Sequence, residues 1–164
     1  MKPVFYSFVF FLLIGGCVYY TTSERGRSSI RTLAVPAFDC SLPDETRLRL
    51  KEKITEIIRN TFVRDNRLRL VEQKEAEGLL SGQIVEYKRE PFSYTTLEVV
   101  ESYKFRIFAQ VTYKDLKNDE IIWEEKNLEG WTIGSAHPDS ESVEVEAAIT
   151  KLAEDILRRI VEEW

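Results

Sequence analysis

Between positions 103 and 113 the chain alternates with period two. Tyr103, Phe105, Ile107, Ala109, Val111 and Tyr113 fall on one side, and Lys104, Arg106, Phe108, Gln110 and Thr112 on the other. Successive side chains of a strand point to opposite faces, so this run predicts a strand with one core face and one largely polar face. The elements that cover the core face are legible on either side of it. Leu50, Ile54, Ile57, Ile58, Thr61 and Phe62 form one helical stripe while Lys51, Glu52, Lys53, Glu56 and Arg59 face away. Ser41 and Asp44 have capping-box spacing, and Pro43 falls in the first turn, where a missing N–H is harmless. At the other end Ala148, Ile149, Leu152, Ala153, Ile156, Leu157, Ile160, Val161 and Trp164 recur at helical spacing. Acidic residues precede them, and Arg158 and Arg159 near the end complement the helix dipole.

Shorter strands fill the rest. Ile30, Leu33 and Val35 predict a buried strand stopped at Pro36, and Leu68 and Leu70 alternate with Arg67 and Arg69 in another. Residues 79–88 predict a third, which Glu90, Pro91 and Ser93 are expected to end. Lys117, Asn118, Asp119 and Glu120 supply a turn, residues 121–131 the last strand, and residues 134–139 a loop. The order β-α-β-β-β-β-α describes an α+β domain, with two helices packed on one face of a four- to five-stranded mixed sheet.

The N-terminus adds an address. Residues 4–16 are almost wholly apolar behind Lys2, which is the shape of a secretory signal peptide, and the run is shorter than the roughly 20 residues a spanning helix needs. It ends in Leu13, Ile14, Gly15, Gly16, Cys17. An aliphatic residue three before a cysteine, with small residues between, forms a bacterial lipobox, in which the Cys17 thiol accepts diacylglycerol. A soluble secreted chain cleaved nearby, or an anchor helix with an incidental cysteine, is the alternative. Two or three acyl chains, at about 0.8 kcal/mol per buried methylene, make the attachment effectively permanent. Val18, where an inner-membrane retention signal would carry aspartate, favours the outer membrane. The expected organisation is therefore a signal peptide at 1–16, a lipidated N-terminus and tether at 17–29, and a single domain at 30–164. Residues 18–29 are polar and aperiodic and span about 40 Å if fully extended, at 3.3–3.6 Å each.

Twenty-eight acidic against 23 basic residues give a net charge of −5, with no long block of one sign, so a general affinity for nucleic acid is not expected. Cys40 is the one other cysteine, and acylation of Cys17 leaves it without a disulfide partner. Enzymatic signatures are wanting. His137, the sole histidine, has no second histidine or cysteine pair at metal-ligand spacing. Ser81 lacks the glycine two residues before it that a nucleophile elbow needs, and the seven glycines form no phosphate loop. Neither catalysis nor a cofactor is expected beyond the covalent lipid on Cys17.

What remains are surfaces. Lys104 and Arg106 project from the polar strand face, Lys88 and Arg89 end the preceding strand, and Lys126 lies on the next. Together they are candidates for a site that takes phosphate groups, against the simpler account of a solvated face studded with long side chains. Phe92 and Tyr94, at a loop tip, and Phe108, on the polar face, are candidates for a partner surface.

Several stretches, in order, resemble one family. They are the lipobox through Tyr20; Ile30 to Phe38 reading IRTLAVPAF; Arg67 to Glu72 reading RLRLVE; Ala76 to Ile84 reading AEGLLSGQI; Pro91 to Tyr94 reading PFSY; Ile122, Trp123 and Glu124; and the amphipathic end at Trp164. The chain is similar to the lipopolysaccharide-assembly lipoproteins of the LptE family. The resemblance implies a non-catalytic outer-membrane lipoprotein lodged as a plug within the large β-barrel LptD. Lipopolysaccharide then becomes a ligand to consider for Lys88, Arg89, Lys104, Arg106 and Lys126. Three departures stand out: Val18 follows the cysteine where glycine is usual, Asp39 and Cys40 stand where an asparagine-containing turn is common, and residues 95–102 carry no arginine or lysine. Residues 30–38 also resemble the opening strand of curli-secretion and peptidoglycan-synthase-activating lipoproteins. An adaptor of another envelope machine is thus one alternative, and a periplasmic module for anionic ligands a second.

Overall fold

A computed structural model describes residues 30–42, 44–137 and 141–162. The lipobox, Cys17 and the tether lie outside the described residues, as do Pro43 of the expected helix cap and Trp164. The elements are β1 (Thr32–Ala34), β2 (Asp39–Cys40), α1 (Asp44–Asp65), β3 (Arg69–Leu70), β4 (Gly78–Tyr94), β5 (Val100–Asp115), β6 (Glu120–Ser135) and α2 (Glu141–Glu162), with a short 3-10 turn at Gln73–Glu75. Across the sheet the order is β3-β1-β4-β5-β6. β1 pairs parallel with β4 at Gly78 and Leu79, and β2 with β4 at Gln83 and Ile84. The two short strands thus share one edge of β4, and residues 35–38, with Pro36 among them, interrupt a single strand position. The expected order, mixed sheet and pair of covering helices are the fold.

Burial follows the alternation. Phe105, Ile107, Ala109 and Val111 of β5 are wholly buried, and Tyr113 almost so, in one core with Leu80 and Ile84 of β4. From α1 the core takes Ile54, Ile58 and Phe62, and from α2 Ala148, Ile149, Leu152 and Ile156. Thr55 is buried with its hydroxyl satisfied, accepting from the Phe38 amide at 2.9 Å and donating to the Lys51 carbonyl at 3.1 Å. Arg59 turns back from the solvent side of α1 and donates twice to the Val35 carbonyl, closing the gap in the interrupted strand.

Two strand ends differ from expectation. β4 does not stop at Glu90, Pro91 and Ser93 but runs through them to Tyr94, with Pro91 opposite Tyr103. Beyond Ile84 no described strand covers the far edge of β4, and a proline is tolerated on such an edge because no neighbour there needs its N–H. Register shifts beside Pro91 and Ser93 absorb the remaining misfit. β6 likewise continues past Trp131 to Ser135, through the expected loop position Gly134. A β-carbon on Gly134 would meet the far end of the Glu144 side chain, whereas one on Gly130 would strike the backbone of α2, so Gly130 is the glycine that permits the close approach of the helix.

Candidate partner interface

The two faces of the sheet part company at a bulge. Between Ile84 and Glu86 the β4–β5 register slips, and beyond it no residue of β4 is buried. β5 still buries Ile107 and Phe105 there, opposite Tyr87 and Arg89, and the hairpin overhangs the core only past that pair. Its inner side is pinned to the start of α2. The Tyr87 hydroxyl donates to Glu141 at 2.9 Å, Arg89 reaches the same carboxylate at 3.3 Å, and the Arg89 guanidinium stacks 4.0 Å from the Tyr103 ring centre. Burial, followed by the Glu141 carboxylate, pushes the Tyr87 phenol well above its ordinary value.

On the outer side the cross-strand register sets Lys88 opposite Arg106, Glu90 opposite Lys104, Glu129 opposite Phe108 and Trp131 opposite Arg106. Arg106 binds Glu129 with two parallel bonds of 2.6 and 3.1 Å and reaches Glu90 at 3.3 Å, while Lys88 pairs with Glu86 at 2.9 Å. The Arg106 hydrogen bond holds the Glu129 carboxyl below the usual carboxylate value, and the same bond raises Arg106 further. The structure thus brings Lys88, Lys104 and Arg106 together but interleaves them with carboxylates. Arg89 sits on the opposite face. Lys126 is exposed, in the irregular stretch of β6 opposite Gln110, and makes no ion pair among the described residues.

The aromatic candidates divide. Phe92 and Tyr94 are 56% and 58% exposed at the hairpin end, next to Leu97 at 82% and Val99. Phe108 is only 5% exposed, because Lys88 and Arg106 lie over its ring at 5.4 and 4.8 Å. Trp131 takes its place as the open aromatic of this face, with Lys104 at 4.6 Å over the ring and Ile133 exposed two residues on. Sequence reasoning passed over Trp131, Ile133, Leu97 and Val99. The signal available was the same parity in β6, where residues 129, 131 and 133 continue the outer face. His137 is exposed at the end of β6, and Cys40 is a free, buried thiol.

The molecule is thus a two-layer α+β domain with one sheet face left open, aromatic residues set among self-compensated charges on that face, and an exposed hairpin end. Residues 30–163 match the model of the lipopolysaccharide-assembly family LptE, and the chain belongs to that family. No curated protein sequence matches it. Among solved structures, rare lipoprotein B from Shewanella oneidensis superposes with a TM-score of 0.53 at 16% identity, covering 80% of this chain and 95% of that one. A minor lipoprotein from Acinetobacter baumannii gives 0.53 at 15%, covering 81% and 92%. The hypothetical protein CT253 from Chlamydia trachomatis gives 0.57 at 13%, covering 79% and 94%. At these identities the likeness is one of fold.

Proposed function

We propose that the protein is an outer-membrane lipoprotein, acylated at Cys17, that seats as a plug in a large LptD-like β-barrel and takes part in its assembly for lipopolysaccharide transport. The observation that carries this reading is family membership across the whole folded domain. The geometry is consistent with it. No described helix is long and apolar enough to cross a membrane; on this reading the acyl anchor holds the protein at the bilayer, with residues 18–29 as its tether. A rigid domain with a mixed charged and aromatic sheet face suits a water-filled lumen, and the anchor raises its effective concentration at the barrel mouth. The role is one of binding rather than catalysis.

Within this reading the outer sheet face and hairpin end serve the barrel before they serve lipopolysaccharide. Lys88, Lys104 and Arg106 face Glu86, Glu90 and Glu129, so a phosphate would have to displace a carboxylate from each. Pull-down of the detergent-solubilised, anchored protein should recover a barrel of high mass. Recovery of a peptidoglycan synthase or a curli secretion component instead would establish the adaptor alternative, and recovery of no barrel would overturn the plug.

A further inference from the structure

The sheet has two long open edges, and they are built differently. One is the far edge of β4 beyond Ile84, the other the far edge of β6; no described strand pairs with either. An uncovered edge is a row of unpaired N–H and C=O groups, and proteins blunt such rows with charge, proline and bulges. The β4 edge is blunted in all three ways, by Glu86, Lys88, Arg89 and Glu90, by Pro91, and by register shifts at Ile84/Glu86 and Pro91/Ser93. The near half of β6 is blunted too, by Glu120, Glu124, Glu125 and Lys126 and by shifts opposite Gln110 and at Tyr113/Lys114. Residues 128–134 are not. Their pairing with β5 runs without interruption from Leu128↔Ala109 to Gly134↔Tyr103, and the single charge among them, Glu129, is held by Arg106. Trp131 and Ile133 stand exposed along this stretch.

We propose that residues 128–134 of β6 are where an extended segment of the barrel partner adds as a further strand; this rests on the plug reading above. The occupant follows from what stands over the edge. α2 lies directly on β6: a β-carbon on Gly130 would strike the Ala148 carbonyl and Leu152, Gly134 faces Glu144, and Arg159 reaches Glu125 and stacks near Trp123. A second copy paired antiparallel through the same edge would bring its own α2 onto the same face. Paired strands are about 4.8 Å apart, whereas a helix with its side chains is about 10 Å across, so the two helices would collide. A bare extended segment carries no such layer. It pairs its backbone with β6 and sets alternate apolar side chains beside Trp131 and Ile133, the mode in which main-chain bonds give affinity and every second side chain gives specificity.

The test is hydrogen exchange at single-amide resolution on the full anchored protein, alone and in the detergent-purified complex with its barrel. Strand addition slows every second amide between 128 and 134 by about tenfold or more and leaves the intervening ones, already bonded to β5, unchanged. Ile133→Lys, which touches neither the core nor the backbone ladder, should lower barrel recovery severalfold at unaltered thermal stability. A complex that forms while the alternate amides exchange as in the free protein overturns this inference and leaves the plug standing. Alternate amides already slow in the free protein also overturn it, since the tether or a second copy then holds the edge. Absence of any barrel overturns the plug and the strand addition together.

Discussion

The two faces of the sheet make two regions from the same three strands. On the inner face the helices roof the strands, and each inward residue of β5 from Phe105 to Tyr113 is buried. On the outer face, and at the hairpin end past Arg89, no described helix covers the strands, and contacts are ion pairs and rings stacked under cations. Apolar burial is proportional to area and is not screened by salt, while half-exposed ion pairs are screened and each contribute about 1 kcal/mol or less. The first region therefore holds the fold, and the second is left available to be held by something else.

The sharpest way to break that contrast is to disturb the roof. Gly130→Val would drive a branched side chain into the backbone of α2, and Phe105→Ala would empty the centre of the core. The expected losses are about 3 kcal/mol for the first and about 4 kcal/mol for the second, read from urea unfolding. Phe92→Ala and Tyr94→Ala in the overhang should shift stability by less than about 0.5 kcal/mol, as surface substitutions do. If the hairpin-end variants unfold as easily as the core ones, the division between roofed and open regions is wrong.

A second pair of measurements separates Phe108 from its companions. Phe92→Ala with Tyr94→Ala should lower barrel co-purification severalfold with the melting curve unmoved, whereas Phe108→Ala should cost about 3 kcal/mol of stability because that ring is buried beneath Lys88 and Arg106. Unchanged barrel recovery after substitution of Phe92 and Tyr94 would remove the hairpin end from the interface.

Acid provides a smaller lever on the same face. Glu129 has its carboxyl held below the ordinary value of 4.5 by Arg106. A carboxylate with a depressed folded-state pKa contributes stability that is present above the ordinary value and lost as pH falls through the folded one. Glu129→Gln should flatten that part of the decline below about pH 4.5, while Glu77, held low by Lys117, and Asp65, held low by Arg67, keep the roofed region's share. An acid limb identical to that of the wild type would show that the Arg106 pair adds nothing to folding.

How far the sequence foretold this follows from the same physics. Period-two and helical stripes report burial against a roof, so β5, α1 and α2 were legible, and the order of elements along the chain with them; the order of strands across the sheet was not. Pro91 was misleading because a sequence does not say which strand edge will go uncovered, and Gly134 because loop propensity gives way to strand pairing, here with Tyr103. Lys104 and Arg106 share a face by strand parity alone, and the register adds Lys88 to it, opposite Arg106, while leaving Arg89 on the other. Their carboxylate partners Glu90 and Glu129 depend on cross-strand register, which a one-residue slip would reverse, and so does the burial of Phe108.

The smallest expected effect tests whether the roofed region is as complete as its burial implies. Tyr113 is 2% exposed, and its hydroxyl is the one fully buried side-chain oxygen without a partner among the described residues. A β-carbon on Gly78 would lie 3.0 Å from the ring and 3.3 Å from the hydroxyl. Burial, and then the charge of Asp115, push the phenol well above its ordinary value of 10.0. A buried hydroxyl left unsatisfied costs about 1 to 3 kcal/mol in desolvation, which removing the oxygen recovers. Tyr113→Phe should therefore stabilise the protein by about 1 kcal/mol, with a rise in melting temperature of a few degrees. It should also lessen the loss of stability in alkali: a phenol whose folded-state pKa is raised contributes stability that is full below pH 10 and falls as pH climbs above it, and Tyr87, raised likewise, would then carry the phenol share of that loss. A destabilised Tyr113→Phe would mean that the hydroxyl is satisfied by ordered water, and that the core of the roofed region is wetter at its edge than its packing implies.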